Sequence, residues 1–184
     1  MRQFKESDLS FSFQKDHWDI RKYDDDPLYL AASNSLQGTK AVDFLGFHNG
    51  KNLMMFEVKS FRGYGSQKSV ADRLNEGMDI LSTEIAQKVK DTVAVMIGIS
   101  RNMKTSGTFW QKAANHIIEN KPLTIVAWVE EDLNSSALKL RKKQEMSVRT
   151  AKLKTKLNWL TSEIIIDNIK DQHASFEGLT VSKT

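Results

Sequence analysis

The sequence predicts an α/β protein in which helices cover a mixed central sheet. Three observations predict it. Two apolar segments in "KAVDFLGFHNGKNLMMFEVKS" flank Asn49-Gly50, a strong short-range hairpin signal. Met78, Leu81, Ile85, Val89, Val93 and Met96 recur at three or four residues and form one helical stripe. "PLTIVAWV" and "SEIIIDN" are short, apolar and rich in β-branched residues, and helical patterns separate them from the hairpin and from each other.

In chain order, "LSFSF" alternates like a short strand. "DDDPLYLAASNSL" predicts a short helix, with Pro27 accommodated in its first turn. The hairpin follows. "NEGMDILSTEIAQKVKDTVAVMIG" predicts a helix that Gly98 stops, and "TFWQKAANHIIEN" a second one. "PLTIVAWV" reads as a buried strand. Asn134 or Ser135 could cap a long helix through "ALKLRKKQEMSVRTAKLKTKLNWL". "SEIIIDN" closes as another strand. No repeat or Pro/Gly-rich linker divides the chain, so residues 1–184 are expected to form a single domain.

At 184 residues, 40% hydrophobic and 27% charged, the composition is that of an ordinary globular protein. The absence of cysteine excludes disulfides and thiolate metal sites. No apolar run approaches the roughly 18–20 residues of a membrane span, and "MRQFKESDLS" is too polar for a secretory signal. A cytoplasmic protein with no membrane partner is expected. Charge is unevenly placed. Lys139 to Lys156 holds eight basic residues and one acid, a net +7 within a chain of +4, so the remainder sums to −3. Such a segment suits a polyanion.

The hairpin drives an apolar strand into Glu57 and Lys59. Alternation puts these two on one face. The position of Asp43, on the partner strand, depends on the turn. A two-residue Asn49-Gly50 loop pairs His48 with Lys51 and Asp43 with Phe56, which leaves Glu57 on the other face. A three-residue His48-Asn49-Gly50 loop pairs Phe47 with Lys51 and Asp43 with Met55. Glu57 is then a diagonal neighbour about 7–8 Å away on the same face. A shared site therefore predicts the three-residue loop or a compensating bulge.

Hard divalent ions take oxygen ligands, usually one or two carboxylates plus water and substrate phosphate. Asp43 and Glu57 would supply carboxylates and Val58 its carbonyl to Mg²⁺, with Mn²⁺ as a substitute. Lys59 would orient the attacking water or stabilise charge on the phosphate. The combination of "VDF", thirteen intervening residues between Asp43 and Glu57, and "EVK" resembles the PD-(D/E)XK nuclease superfamily. "EIAQKVKDT" on the next helix resembles bacterial members. The resemblance covers Lys40 to Thr92 and implies a restriction-endonuclease-like core, a catalytic set of Asp43, Glu57 and Lys59, and metal-dependent hydrolysis of DNA phosphodiesters, in defence or repair. Val42 replaces the motif's proline. No Gln-x-x-x-Tyr follows Gln87, because position 91 is Asp, which argues against the exonuclease branch. The acid that the family often draws from its first helix is not assigned; Glu6, Asp16, Asp19 and Asp24 to Asp26 compete.

In the family fold the following helix packs beside the hairpin, which would bring Gln87 or Lys88 to the phosphate and Glu84 toward the ion. An exposed Glu84–Lys88 pair is the plainer reading. Lys40, Arg62 and Lys68 flank the site and could hold DNA phosphates, and "RGYGSQ" could order over substrate. The basic helix would pack through Leu140, Leu153, Leu157 and Leu160 and present the rest as a positive face. Trp110, Trp128 and Trp159 are expected in the core, His48 in the turn and His116 on a helix face. DNA is the expected partner and RNA stays open, as does a homodimer or a partner subunit, since cutting two strands often uses two active sites. Two other readings stay open: a catalytically silent nucleic-acid-binding module of the same fold, and a regulatory protein whose basic helix docks an acidic partner.

Overall fold

The computed structural model describes residues 1–61, 78–102, 108–131, 139–170 and 176–184. Eight strands and four helices are found among them: β1 (Arg2–Glu6), β2 (Leu9–Phe13), β3 (Trp18–Lys22), α1 (Pro27–Ser35), β4 (Phe44–His48), β5 (Asn52–Phe61), α2 (Met78–Asn102), α3 (Phe109–Ile118), β6 (Leu123–Glu131), α4 (Lys139–Leu157), β7 (Ile164–Asp167) and β8 (Leu179–Lys183). The fold is mixed α/β. A five-stranded sheet runs β3-β4-β5-β6-β7, and a three-stranded sheet runs β1-β2-β8. β3, β4 and β5 pair antiparallel, whereas β5, β6 and β7 pair parallel, so the larger sheet is mixed.

Alternation along β4, β5 and β6 divides the core in two. Leu45, Phe47, Leu53, Met55, Ile125, Ala127 and Val129 face the helices, packing with Leu81, Ile85, Val89, Val93 and Met96 of α2 and with Leu153 and Leu157 of α4. Phe44, Met54, Phe56, Val126 and Trp128 face the small sheet and meet Leu9, Phe11, Phe13, Leu179 and Val181. This second core is dense in rings: Phe11 lies 5.1 Å from Phe44 and 5.5 Å from Trp128, and Phe13 lies 5.2 Å from Trp18. Helices thus cover one face of the central sheet, and a second sheet covers the other. The sequence did not reveal that layer. β1 reads "RQFKE", β8 lies at the far end of the chain, and neither has a buried face until both flank β2.

Several elements match expectation. Asp26 caps α1 by accepting from the Leu28 N–H at 2.9 Å, with Pro27 in the first turn. Thr108 caps α3 through the Gln111 N–H. Other expectations need correction. α2 does not stop at Gly98 but runs to Asn102. A mid-helix glycine costs about 1 kcal/mol, and the buried Val95, Met96 and Ile99 around it offset that. Trp159 is 55% exposed rather than in the core, because it follows the last turn of α4. Trp110 and Trp128 are buried as expected, and Trp18 joins them, donating its Nε1–H to the Glu177 carbonyl at 2.8 Å. His48 is the last residue of β4 rather than a turn residue, stacked 4.4 Å from Trp18. His116 is buried, with Nε2 2.8 Å from the Pro122 carbonyl. Arg149 does not join a positive outer face; it is buried in line with Leu153 and Leu157 on the inward side of α4. The expected cap at Asn134 or Ser135 and the loop from Arg62 through Lys68 lie outside the described residues.

Candidate metal and catalytic site

The hairpin turn decides which face the carboxylates share. Asn49 and Gly50 are both left-handed, with φ of 49° and 66°, and Lys51 donates its N–H to the His48 carbonyl at 3.1 Å. That is the tight turn Asn-Gly favours. The ladder then resumes with His48 opposite Asn52, so Lys51 is an extra residue. The register is neither of the two anticipated. The extra residue acts as the compensating bulge, and continuing the pairing of Phe44 with Phe56 puts Asp43 directly opposite Glu57. Asp43, Glu57 and Lys59 therefore all lie on the helix-facing side of the sheet.

β4 stops pairing at Phe44, and Asp43 finishes the job with its side chain. Its Oδ2 accepts from the Val58 N–H at 2.6 Å. An extended residue turns its N–H and C=O toward the same edge, so the Val58 carbonyl also faces the side that β4 has left. The Asp43 N–H reaches the Phe56 carbonyl at 2.9 Å, and its carbonyl accepts from Tyr23 at 2.8 Å.

α2 closes the site from above. Its polar residues tie it to the chain entering β4: Asp91 accepts from the Lys40 N–H at 3.1 Å, and Thr92 Oγ1 accepts from the Val42 N–H at 3.1 Å. Glu84 and Lys88 then hang one turn apart over β5. They do not form the exposed pair of the plainer reading. Lys88 Nζ sits 2.7 Å from Glu57 Oε1 and 3.5 Å from Asp43 Oδ1, so one ammonium lies between the two carboxylates. Lys59 Nζ lies 2.8 Å from Glu84 Oε1 and 3.2 Å from Glu57 Oε1.

Glu57 is 1% exposed. Both lysine ammoniums meet the same oxygen of Glu57, Oε1, as ion pairs. Burial pushes its pKa up to about 7; Asp43 beside it adds to the rise, and the lysines oppose it. Burial also raises Asp43, against the pull of Lys88 and the Val58 N–H. Burial works against the charge on Lys88 and Lys59, but Glu57 and Asp43 beside the first, and Glu84 and Glu57 beside the second, outweigh it and raise both. Lys59 is thus held protonated. Burial would raise Glu84, but Lys59 overrides it and lowers its pKa.

A second group of acids meets at Asp43, one from each sheet. Glu6 at the end of β1, Asp24 after β3, and Asp43 bring carboxylate oxygens within 4.8 Å of one another. Lys22 neutralises part of this charge, 3.3 Å from Glu6 and 3.4 Å from Asp24. Burial, opposed by Lys22 but reinforced by Asp43, lifts Asp24 to about 6. Among the acids that competed in the sequence, Glu6 and Asp24 are therefore the ones near Asp43. Lys22 carried no signal. Lys40 and Gln87 do not touch the carboxylates. They line a recess of about 430 Å³ with Ile80, Thr83 and Glu84 beside the site. Arg62 lies outside the described residues.

Hard divalent cations take oxygen ligands; Asp43 offers a carboxylate both to the group with Glu6 and Asp24, whose oxygens lie within 4.8 Å of one another, and to the Lys88 ammonium it shares with the buried Glu57. No family model, curated protein or solved structure matches the chain.

Proposed function

We propose that this protein is a metal-dependent nuclease that hydrolyses DNA phosphodiester bonds, built on a restriction-endonuclease-like core and acting in defence or repair in the cytoplasm. One observation carries the reading: Asp43 and Glu57 face each other across neighbouring strands, with Lys59 on the same face. Asp43 and Glu57 would hold Mg²⁺ or Mn²⁺, with the Val58 carbonyl as a further ligand. A bound ion would neutralise charge developing on the phosphate and acidify water.

The chain's own groups then have distinct tasks. The Val58 N–H and the strand ladder fix the Asp43 carboxylate, so it need not reorganise. Lys59, protonated and anchored by Glu84, orients the attacking water and stabilises the phosphate oxygens rather than removing a proton. The water oxygen bonds to phosphorus and gives up a proton to solvent, the bond to the leaving sugar oxygen breaks, and that oxygen takes up a proton from solvent. Lys40 and Gln87, on the adjoining recess, would steady the neighbouring nucleotide. Two copies, or a partner subunit, would serve the two strands of a duplex.

A second reading, a silent nucleic-acid-binding module, is favoured by the position of the Lys88 ammonium between the two carboxylates. A cleavage assay separates the two. Duplex, single-stranded, branched and RNA substrates are incubated with Mg²⁺ or Mn²⁺, with EDTA as control. The nuclease reading expects cleavage that EDTA abolishes and that Asp43→Ala and Lys59→Ala each reduce by at least about 10²-fold. Nucleic-acid binding with no cleavage of any substrate would leave the silent module.

A further inference from the structure

We infer that Lys88 is a built-in counter-cation that holds the divalent-ion position of this site until the ion displaces it. The inference rests on the metal reading above and deepens it, because it sets how the site is loaded. Its basis is the placement of one ammonium. Lys88 Nζ bridges oxygens from two strands, Glu57 Oε1 at 2.7 Å and Asp43 Oδ1 at 3.5 Å. The other Asp43 oxygen is already committed to the Val58 N–H. The bridging position is therefore the one at which a single cation can meet both carboxylates.

The site needs a cation there. Two carboxylates face each other at the edge of the core, and the Glu57 side chain is 0% exposed. Leaving such a pair without positive charge is costly. Lys59 already pairs with Glu57 Oε1 at 3.2 Å, but Glu84 holds its ammonium closer, at 2.8 Å, and among the described ion pairs only Lys88 joins Glu57 to Asp43. Lys88 has no comparable second anchor among the ion pairs described. It hangs from α2, one turn after Glu84, on a flexible four-carbon stem.

The ammonium is also a poor substitute for what the oxygens could bind. Mg²⁺ sits about 2.0–2.1 Å from its ligands, against 2.7 and 3.5 Å here. A divalent ion carries twice the charge at shorter range. Both cations cannot occupy the notch, since like charges a few ångströms apart repel. Loading the site therefore expels Lys88. It swings toward the recess lined by Gln87 and Lys40 on the same side of α2, where a phosphate of the substrate gives it a new anionic partner. Lys88 thus ties metal loading to substrate binding: metal is held weakly without polyanion and more tightly with it.

The test uses the full chain and Mn²⁺ alone, read by calorimetry and by the thermal shift Mn²⁺ induces. Lys88→Met removes the competing charge and keeps the length of the stem. It is expected to bind Mn²⁺ about tenfold or more tightly than wild type, with a larger thermal shift, whereas Lys88→Arg stays close to wild type. Equal or weaker Mn²⁺ binding by a folded Lys88→Met overturns the inference alone. Absence of Mn²⁺ binding by both proteins overturns it together with the metal reading. A second measurement needs no variant. Acetylation of Lys88 in the wild-type protein, mapped by mass spectrometry, is expected to rise several-fold when Mn²⁺ is added. Unchanged labelling at saturating Mn²⁺ also overturns the inference.

Discussion

Glu57 is a carboxyl group in a place that resists its charge. In the folded chain it keeps its proton up to pH about 7, against 4.5 for the free group. Between those values the unfolded chain has released a proton that the folded chain still holds. The unfolded state therefore binds fewer protons, and stability falls as pH rises through this window. Above pH 7 the loss is complete and amounts to about 3 kcal/mol. Two outcomes follow at this scale. Glu57→Gln should melt several degrees higher than wild type at pH 8 and level with it below about pH 4.5. Mn²⁺ should raise the wild-type melting temperature at pH 8 far more than at pH 5, where the carboxyl is protonated and competes with the ion. Thermal melts across pH, with and without Mn²⁺, check both. A Glu57→Gln protein less stable than wild type at pH 8 would mean that the ion pairs with Lys59 and Lys88 outweigh the burial of the charge.

At the scale of elements, the hairpin and α2 form one unit. A one-residue slip reverses every side chain on a strand, so the extra Lys51 decides that Glu57 faces Asp43 rather than the small sheet. β4 in turn is held against β3 at Gly46. A Cβ built there would lie 2.5 Å from Ile20 Cδ1 and 2.7 Å from the Asp19 carbonyl oxygen. A backbone carbonyl in a ladder cannot yield, so Gly46→Ala should destabilise the fold by about 1–3 kcal/mol. Urea denaturation should show a lower midpoint with an unchanged slope. The Asp91 and Thr92 hydrogen bonds to Lys40 and Val42 fix α2 over this hairpin. Asp91, which follows Glu84, Gln87 and Lys88 at three- and four-residue steps off the apolar stripe, is therefore a tether that places Lys88.

On the scale of the molecule, three layers set which charges are buried and which reach solvent. The small sheet closes one side of the central sheet, and the helices close the other, with the Asp43 and Glu57 carboxylates buried beneath α2. α4 supplies positive charge, but not from every basic residue. Arg149 points inward beside Leu153 and Leu157, whereas Lys154 is exposed. The two should separate in experiment. Lys154→Ala should weaken DNA binding and lower the slope of log affinity against log salt by about 1. Arg149→Ala should lower the melting temperature and leave that slope unchanged. Fluorescence anisotropy over a salt series and a thermal melt distinguish them.

The local pattern of residues was enough to place the hairpin, the four helices among the described residues and the strands β2, β6 and β7, because each rests on a period that neighbouring residues create together. It also singled out Asp43, Glu57 and Lys59, since charges at the end of an apolar strand stand out. It could not choose the register, since an added residue in a turn costs little locally yet reverses a face. Nor could it choose among the acids, find the β1-β2-β8 sheet, or assign Lys88 to Glu57 and Asp43 rather than to Glu84. Those outcomes depend on groups far apart in the chain meeting through space, where burial and charge act only after the layers have packed.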